Sequence, residues 1–290
     1  MGYDGALEVK IAYLIAAHKN AGQVVRLIEQ LDCEDAVFAI HIDKKSPFNV
    51  YDEVTSALKA RKNIIFLERL GVTYAGWSQC KVVFSALNRL CVEGLQWDYF
   101  IHLSGQDYPI KPISYIHEWL ELHRGTNFID ARLIDKLEWR LRGSVRRRYQ
   151  WLAIEQSHRV CRLPIPLSPF NHLKIKYYGS AWYMITREFC NWVVESNAET
   201  RIARRFRHTT SPDEFVMQDL IMAGPFRDTV ECDNRRFFIF RDHNNKRLQH
   251  PLNLTMDHLE KVMRSNAFFA RKFDQEVDDE IINTISRSIS

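Results

Sequence analysis

No apolar run in this chain approaches the ~18–20 residues of a membrane-spanning helix, and nothing near Met1 has the layout of a signal peptide. Cysteine is sparse and scattered: Cys33, Cys80, Cys91, Cys161, Cys190 and Cys232 include no C-x-x-C, which argues against a zinc site and against a disulfide scaffold. A soluble, reducing, cytoplasmic setting is expected. The first apolar run is not followed by G-x-G-x-x-G, and G-x-x-x-x-G-K-[ST] is absent, so a dinucleotide fold and a P-loop are both disfavoured. No nucleic-acid recognition module, internal repeat or low-complexity segment is present. One-signed charge is also missing globally, since the formal net charge is only +4. Locally it is not. Arg140, Arg142, Arg146, Arg147 and Arg148 form one basic block, and Arg201, Arg204, Arg205 and Arg207 form another. Such blocks are either solvated faces or a surface that meets anionic lipid or a polyanionic substrate.

What is present is a sizeable core, with 46% hydrophobic residues, arranged in alternating runs. VKIAYLIAA (9–17), AVFAIHI (36–42), NIIFL (63–67) and YFIHL (99–103) read as strands buried on both faces. Between them, residues 23–31, 51–60 and 79–91 space their apolar side chains at helical period. This β-α-β-α-β-α-β order predicts a parallel, doubly wound α/β sheet. The second half is less regular. Helices are expected over 113–123, 187–194 and 255–263, strands over 128–131, 178–185 and 237–240, and a proline-rich loop over 163–170. Ser211-Pro212-Asp213-Glu214 reads as a helix start, with proline at N1 and acids in the first turn.

Three of these strands run into polar clusters: His18-Lys19, Asp43-Lys44-Lys45 and Ser104-Gly105-Gln106-Asp107. A parallel sheet brings such ends to one edge, where ligands of open α/β sheets bind. Asp43 is suited to accept a hydrogen bond from a base or ribose, although a turn or cap role is equally open. Glu214 is the sharpest acid–base candidate, because a general base must be ionised and fixed near the hydroxyl it deprotonates. Its ordinary reading is a charge complement to a helix N-terminus. Arg271-Lys272, with Arg247 and His250 upstream, could neutralise a departing diphosphate. The loop after the fourth strand carries no D-x-D, the usual divalent-metal pair of a nucleotide-sugar enzyme, so these cations would have to serve.

In this order, IAYLIAAHKN (11–20), HIDKKS (41–46), VTYAGWSQ (72–79), YFIHLSGQDYPIKP (99–112), YGSAWYMITREF (178–189), SPDEF (211–215) and FFARKFD (268–274) resemble one family. It comprises the core-2/I-branching β-1,6-N-acetylglucosaminyltransferases and peptide O-xylosyltransferases (glycosyltransferase family 14), here in the form of their short bacterial relatives. The resemblance implies a GT-A type fold, a Rossmann-like, mostly parallel sheet flanked by helices. It also implies an inverting transfer of N-acetylglucosamine or xylose from a UDP-sugar, with no divalent metal or other cofactor. By the same resemblance Glu214 matches the catalytic base. Asp43 and Tyr74 match residues at the uridine, with His18 in the same pocket, and Lys272 matches a diphosphate-binding lysine. Ser104, Asp107 and Arg271 fall on the donor side, and either Arg247 or His250 completes the diphosphate clamp. Trp182, with Glu138 or Arg140, is expected to face the acceptor.

The expected partners are a UDP-sugar and a glycan, lipid-linked glycan or protein acceptor, with peripheral contact to anionic membrane at the inner face and no nucleic acid. The expected pathway is bacterial surface glycan synthesis. A non-catalytic nucleotide-sugar or glycan-binding protein on the same scaffold is the rival reading. One domain is expected over 9–275, with a nucleotide-binding half (9–112) and an acceptor-side half (113–275). A leader (1–8) and a tail (276–290) flank it.

Overall fold

The structure, a computed structural model, describes residues 9–92, 94–167, 175–241, 248 and 250–290. Strands β1 (Ile11–Ala17) and β2 (Ala36–Ile42) bracket helix α1 (Ala21–Leu31), and α2 (Phe48–Leu58) leads to β3 (Ile64–Phe66). Helix α3 (Trp77–Val92) precedes β4 (Tyr99–Ser104), the short β5 (Asp107–Pro109), α4 (Ile113–Leu122) and β6 (Asn127–Leu133). Next come α5 (Trp139–Gln150), a hairpin of β7 (Trp151–Glu155) and β8 (Val160–Pro166), and β9 (Tyr177–Thr186). Helices α6 (Arg187–Glu195), α7 (Ala198–Phe206) and α8 (Val216–Ala223) follow, then β10 (Val230–Glu231), β11 (Arg236–Phe237), α9 (Leu259–Met263), β12 (Phe269–Arg271) and α10 (Glu280–Ile289).

The main sheet has seven strands in the order β10-β6-β9-β4-β1-β2-β3. All run parallel except β9, which is antiparallel to both neighbours, β4 and β6. The apolar β1 is covered on both faces, as a central strand of a parallel sheet must be. Ile11, Tyr13 and Ile15 join a core layer with α1, α2, α4 and α10, while Ala12 and Leu14 join the layer of α3, α6, α7 and α8. This is the α/β class expected from the strand–helix alternation. A second sheet, β11-β12-β5, ties a strand from the end of the chain to the loop just after β4.

The β6–β9 pair is irregular, with its register shifting between Ile129 and Ala131. A Cβ placed on Gly179 would stand 1.5 Å from the Asp130 carbonyl oxygen, so this contact admits only glycine.

Several expectations are corrected. Residues 163–166 lie not in a loop but in β8, whose Pro164 and Pro166 are exposed on a two-stranded hairpin with no further ladder to feed. Residues 168–170 are outside the described residues, as is the 1–8 leader. The helix expected over 255–263 is a 3₁₀ turn, Met256–His258, closed by a capping box with Thr255, before the short α9. The 276–290 stretch is not a tail. Its α10 places Ile281, Ile282, Ile285 and Ile289 in the core, and Ser286 shares a 2.6 Å hydrogen bond with Tyr108. The i, i+1, i+4, i+8 spacing of isoleucines makes that face, and α1 receives it through Arg26, which donates to Asp279 and Asn283. Ile285→Ala is therefore expected to lower stability by about 2–5 kcal/mol in a denaturant titration. Loss of only a few tenths would mean the helix is not part of the core.

Candidate functional site

The parallel register delivers the three polar clusters to one edge: Ala17 lies beside Ile42 and Ala16 beside Ser104. Asp43, one step past β2, accepts the backbone N–H groups of Lys45 and Val72 through Oδ1, at 2.9 and 3.1 Å. That closes the turn and holds the 72–76 segment next to it. Beyond β1, Lys19 donates to Asp274 at 2.5 Å, and the Asn20 amide donates to the other oxygen at 2.7 Å. Burial would raise the Asp274 pKa, but these two donors hold it below the usual carboxylate range. Lys272 makes no ion pair among the described residues, and partial burial, Lys19 and Arg271 all lower its pKa. His18 is lowered by desolvation and by Lys19, and it also feels Asp43, Lys272 and Asp274. His18, Asp43 and Lys272 thus share one rim, with a positive surplus.

The loop after β4 is braced from within. Asp107 has no solvent exposure, and its Oδ2 accepts from the Ser104 amide at 2.7 Å and hydroxyl at 2.5 Å. Arg271 approaches the same oxygen at 3.4 Å and lies over the Trp182 ring at 4.0 Å. Trp182 in turn packs on His102, with centroids 4.7 Å apart. Ser104, Asp107 and Arg271 therefore form an internal frame, and Trp182 is part of that frame. Arg236, which the sequence reading missed, lies behind it. Its Nη2 donates to the His102 carbonyl at 2.8 Å, and burial lowers its pKa to about 10.

Gln23 was missed too, and it is fully buried in α1. Its amide donates to the Gly105 carbonyl at 2.8 Å and the Phe273 carbonyl at 3.2 Å, and its oxygen accepts the Gln275 amide at 2.9 Å. It therefore ties the SGQD loop to the chain just past Lys272. A buried glutamine on the apolar face of a helix is the signal that marks it. Gly105 lets α1 come close: a Cβ there would meet Val24 at 2.8 Å and Ala17 at 3.0 Å.

Glu214 approaches this rim through Tyr74, which feels both Glu214 and Arg271. The chain does not start an α-helix at Pro212, as the motif suggested. Ser211 is left-handed (φ 53°), Pro212–Glu214 make one 3₁₀ turn, and Phe215 breaks the path before α8. Two contacts impose this. The Ser211 amide bonds the carbonyl of Ala75, itself left-handed at φ 61°, and Phe215 is buried against Tyr149, Tyr178 and Phe206. Strained residues of this kind gather at functional sites. Glu214 forms an ion pair with Arg148 from the end of α5, and Tyr178 from β9 hydrogen-bonds to it. Burial first and the Glu214 charge second raise the Tyr178 pKa.

Tyr74 joins the two sides. It is 63% exposed, and its pKa is raised by partial burial, Glu214 and Asp213 against the pull of Arg148 and Arg271. His250 packs edge-on against Tyr74 with centroids 5.2 Å apart, and Arg247 lies outside the described residues. The site thus gathers His18, Asp43, Tyr74, His250, Arg271, Lys272 and Glu214. Glu138 and Arg140 are not gathered with Glu214. They are exposed at the start of α5, roughly 12–15 Å along the axis from Arg148 at 1.5 Å per residue. Arg148 stands in the first basic block, yet only the meeting of α5 with the 3₁₀ turn shows its role.

Among the described residues no three His, Cys, Asp or Glu side chains form a metal-binding group, no helix is long and apolar enough to cross a membrane, and none of the six cysteines is in a disulfide. Gln23→Leu would strand the carbonyls of Gly105 and Phe273, and is expected to cost roughly 1–3 kcal/mol. Unchanged stability in thermal or urea unfolding would remove Gln23 from this bracing role.

Comparison with known proteins gives a consistent family. The chain is 27% identical to the beta-glucuronosyltransferase GlcAT14A of Arabidopsis thaliana, over 94% of this chain and 64% of that protein. It is 22% identical to the human beta-1,3-galactosyl-O-glycosyl-glycoprotein beta-1,6-N-acetylglucosaminyltransferase 3, over 74% of this chain and 48% of that one. It thus spans about half to two-thirds of the length of these curated relatives. Among solved structures it is similar to the galactosyltransferase LgtC in complex with donor and acceptor sugar analogs. There the TM-score is 0.45 and the identity 9%, over 97% of this chain and 96% of that one, a likeness at which no function is carried over. The Core-2/I-Branching enzyme model matches residues 11–263, and the chain belongs to that family.

Proposed function

We propose that this protein is an inverting glycosyltransferase of the GT-A type that moves a sugar from a UDP-sugar to an acceptor hydroxyl without a divalent metal. The observation that carries this reading is that a carboxylate, Glu214, and a cation, Arg271, both act on Tyr74, with Lys272 and Lys19 next to Arg271. Arg148 pairs with Glu214, and both side chains remain about a quarter exposed, within reach of a substrate. Glu214 takes the proton of the acceptor hydroxyl as its oxygen attacks the anomeric carbon. The bond to UDP breaks on the opposite face, which inverts that carbon. The charge gathering on the leaving diphosphate is met by Lys272, supported by Lys19 and Arg271, in the role a metal would otherwise fill. Asp43, His18 and Tyr74 line the part of the rim that would take the uridine. N-acetylglucosamine and xylose are the proposed sugars, and the glucuronosyl relative adds glucuronic acid to the set to be tried.

The acceptor side extends this reading. Next to Arg148, α5 exposes Arg140, Arg146 and Arg147 beside Trp139, which is 67% exposed, and β8 exposes Arg162 and Ile165. A basic face with protruding apolar side chains suits an anionic membrane carrying a lipid-linked glycan, and a cytoplasmic role in surface glycan synthesis at its inner face accords with this.

Three outcomes are expected. In EDTA, UDP at about 100 times its Kd should stabilise the fold by about 2.7 kcal/mol, and the best UDP-sugar in a melting panel names the donor. A requirement for added metal would defeat the metal-free reading. Glu214→Gln should melt within a few degrees of the wild type yet lose about 10²–10⁴-fold in transfer rate. Full activity in that variant would end the assignment of the base. Sedimentation with vesicles rich in anionic lipid should show binding that fades as salt rises, whereas absence of binding at low salt removes the membrane contact.

A further inference from the structure

Behind the donor rim, two buried arginines meet one buried carboxylate, and the pairing of the second sheet brings them together. Arg236 of β11 lies beside Phe269 of β12, and Asp107 of β5 lies beside Arg271, two residues further along β12. Residues paired across strands share a face, as do residues two apart along a strand. Arg236, Phe269, Arg271 and Asp107 therefore stand on one side of this sheet. That side meets the end of β4. Arg236 Nη2 donates to the His102 carbonyl at 2.8 Å, and Asp107 Oδ2 accepts the amide of Ser104, two residues on, at 2.7 Å.

The two arginines are held differently. Arg271 reaches Asp107 Oδ2 at 3.4 Å and covers the Trp182 ring at 4.0 Å. Arg236 lies on the Phe269 ring, 4.4 Å from its centroid. Arg236 Nε and Nη1, Arg271 Nε, Asp107 Oδ1 and the Tyr13 hydroxyl are sealed from solvent with no hydrogen-bond partner among the described residues. Guanidinium donors thus outnumber the carboxylate oxygen left to receive them.

Charge is out of balance in the same sense. Arg236 stays cationic at neutral pH, because burial lowers its pKa only to about 10. Asp107 is the one carboxylate that acts on both arginines, and it opposes the effect of burial on each. Tyr13 and His102 supply no compensating charge. Burial pushes the tyrosine hydroxyl far up and lowers the histidine to about 4, so both are neutral. The three charged side chains therefore sum to one positive charge held out of water. Such a charge is costly unless an opposite one completes it. Lys272, the next residue along from Arg271, has no carboxylate paired to it among the described residues either. What completes this rim is an anion that binds to it.

We propose that Arg236 is a positioning residue that draws on Asp107, so that Arg271 keeps its positive charge for the diphosphate of the donor. Asp107 and Arg271 alone would be a neutral pair with little field to offer a phosphate. With Arg236 sharing the carboxylate, the trio acts as a fixed cation behind Lys272, where negative charge gathers as the bond to UDP breaks. Arg236 works through its two neighbours rather than by touching substrate. The proposal rests on the glycosyltransferase reading and deepens it.

The test separates charge from packing. The trio carries one positive charge in the wild type, none in Arg236→Gln, two in Asp107→Asn and one again in the double variant. Dissociation constants for UDP and for uridine, which lacks the phosphates, are measured in EDTA on full chains shown by melting to be folded. The preference for UDP over uridine should fall roughly tenfold in Arg236→Gln, the scale of one unit charge near a phosphate in a partly buried site. It should rise in Asp107→Asn and return towards the wild-type value in the double variant. Arg236→Lys keeps the charge without the flat guanidinium and should stay within about threefold of the wild type.

A residue that only packs would give a different order: the preference would be unmoved throughout, or lowest in the double variant as damage accumulates. Either result would overturn the proposal, and so would Arg236→Lys behaving like Arg236→Gln. If Arg236→Gln does not fold, Asp107→Asn decides the sign alone, because a preference that fails to rise there overturns the proposal. A wild-type chain that binds neither UDP nor any UDP-sugar would remove the glycosyltransferase reading and this proposal together. A wild type that binds UDP, with variants that leave its preference unmoved, would remove the proposal alone.

Discussion

The parallel pairing of β4, β1 and β2 is the constraint on which the rest of this site depends. With side chains covered on both faces, these strands can present polar groups only at their ends, and their register sets those ends level. His18, Asp43 and Ser104 consequently share a rim although they are far apart in sequence. Everything that completes the site is attached to that edge. Helix α1 is drawn in by Gly105, Gln23 bolts the SGQD loop to the returning chain, and β12 adds to β5 so that Arg271 and Lys272 arrive above the strand ends.

Charge is distributed across this edge unevenly, and burial decides how. Asp107 and Arg271 are held together out of solvent, where leaving either alone would be costly. Asp274 similarly occupies Lys19. Lys272 has no such partner among the described residues, so the rim keeps a cation without a carboxylate paired to it. Near Tyr74 the balance is reversed, with Glu214 facing one arginine and Asp213 Oδ1 sealed from solvent with no hydrogen-bond partner among the described residues. In the proposed transfer, negative charge develops on the diphosphate while a proton leaves the acceptor. Cations at the rim and a carboxylate near Tyr74 match that movement.

Backbone strain is concentrated in the same place. Ala75 and Ser211 are both left-handed and joined by one hydrogen bond, and their pairing sets Glu214 on a 3₁₀ turn rather than inside α8. The α8 that follows packs against β9, α7 and β6, whereas the 3₁₀ turn that carries Glu214 meets α3 and β9. The irregular turn frees the carboxylate to meet Arg148 and Tyr178, which come from two other elements. Gly179 contributes differently: by tolerating contact with the Asp130 carbonyl, it lets β9 lie antiparallel beside β6 and carry Tyr178 and Trp182 to the cleft.

The sequence by itself determined the parallel part of the sheet, β1 to β4, because continuous apolar runs of strand length separated by helical periods have few other ways to bury their surface, whereas the antiparallel β9 came only with the tertiary structure. It also determined that His18, Asp43 and the SGQD loop lie together, since parallel strands must end on one side. Glu214 and Lys272 were legible as chemistry, a carboxylate and a cation in distinctive local motifs, but their approach through Tyr74 and Arg271 was not. Tertiary structure alone decided that Arg148, one of several arginines on α5, is the partner of Glu214, because no spacing rule connects the end of a helix to a turn 66 residues later. It likewise decided that Asp107 and Trp182 brace the site from within, and that Asp213 Oδ1 is sealed from solvent. It also decided that α10 belongs to the core. Each of these depends on which surfaces meet when the layers close, and a one-dimensional pattern of apolar and polar residues does not contain that information.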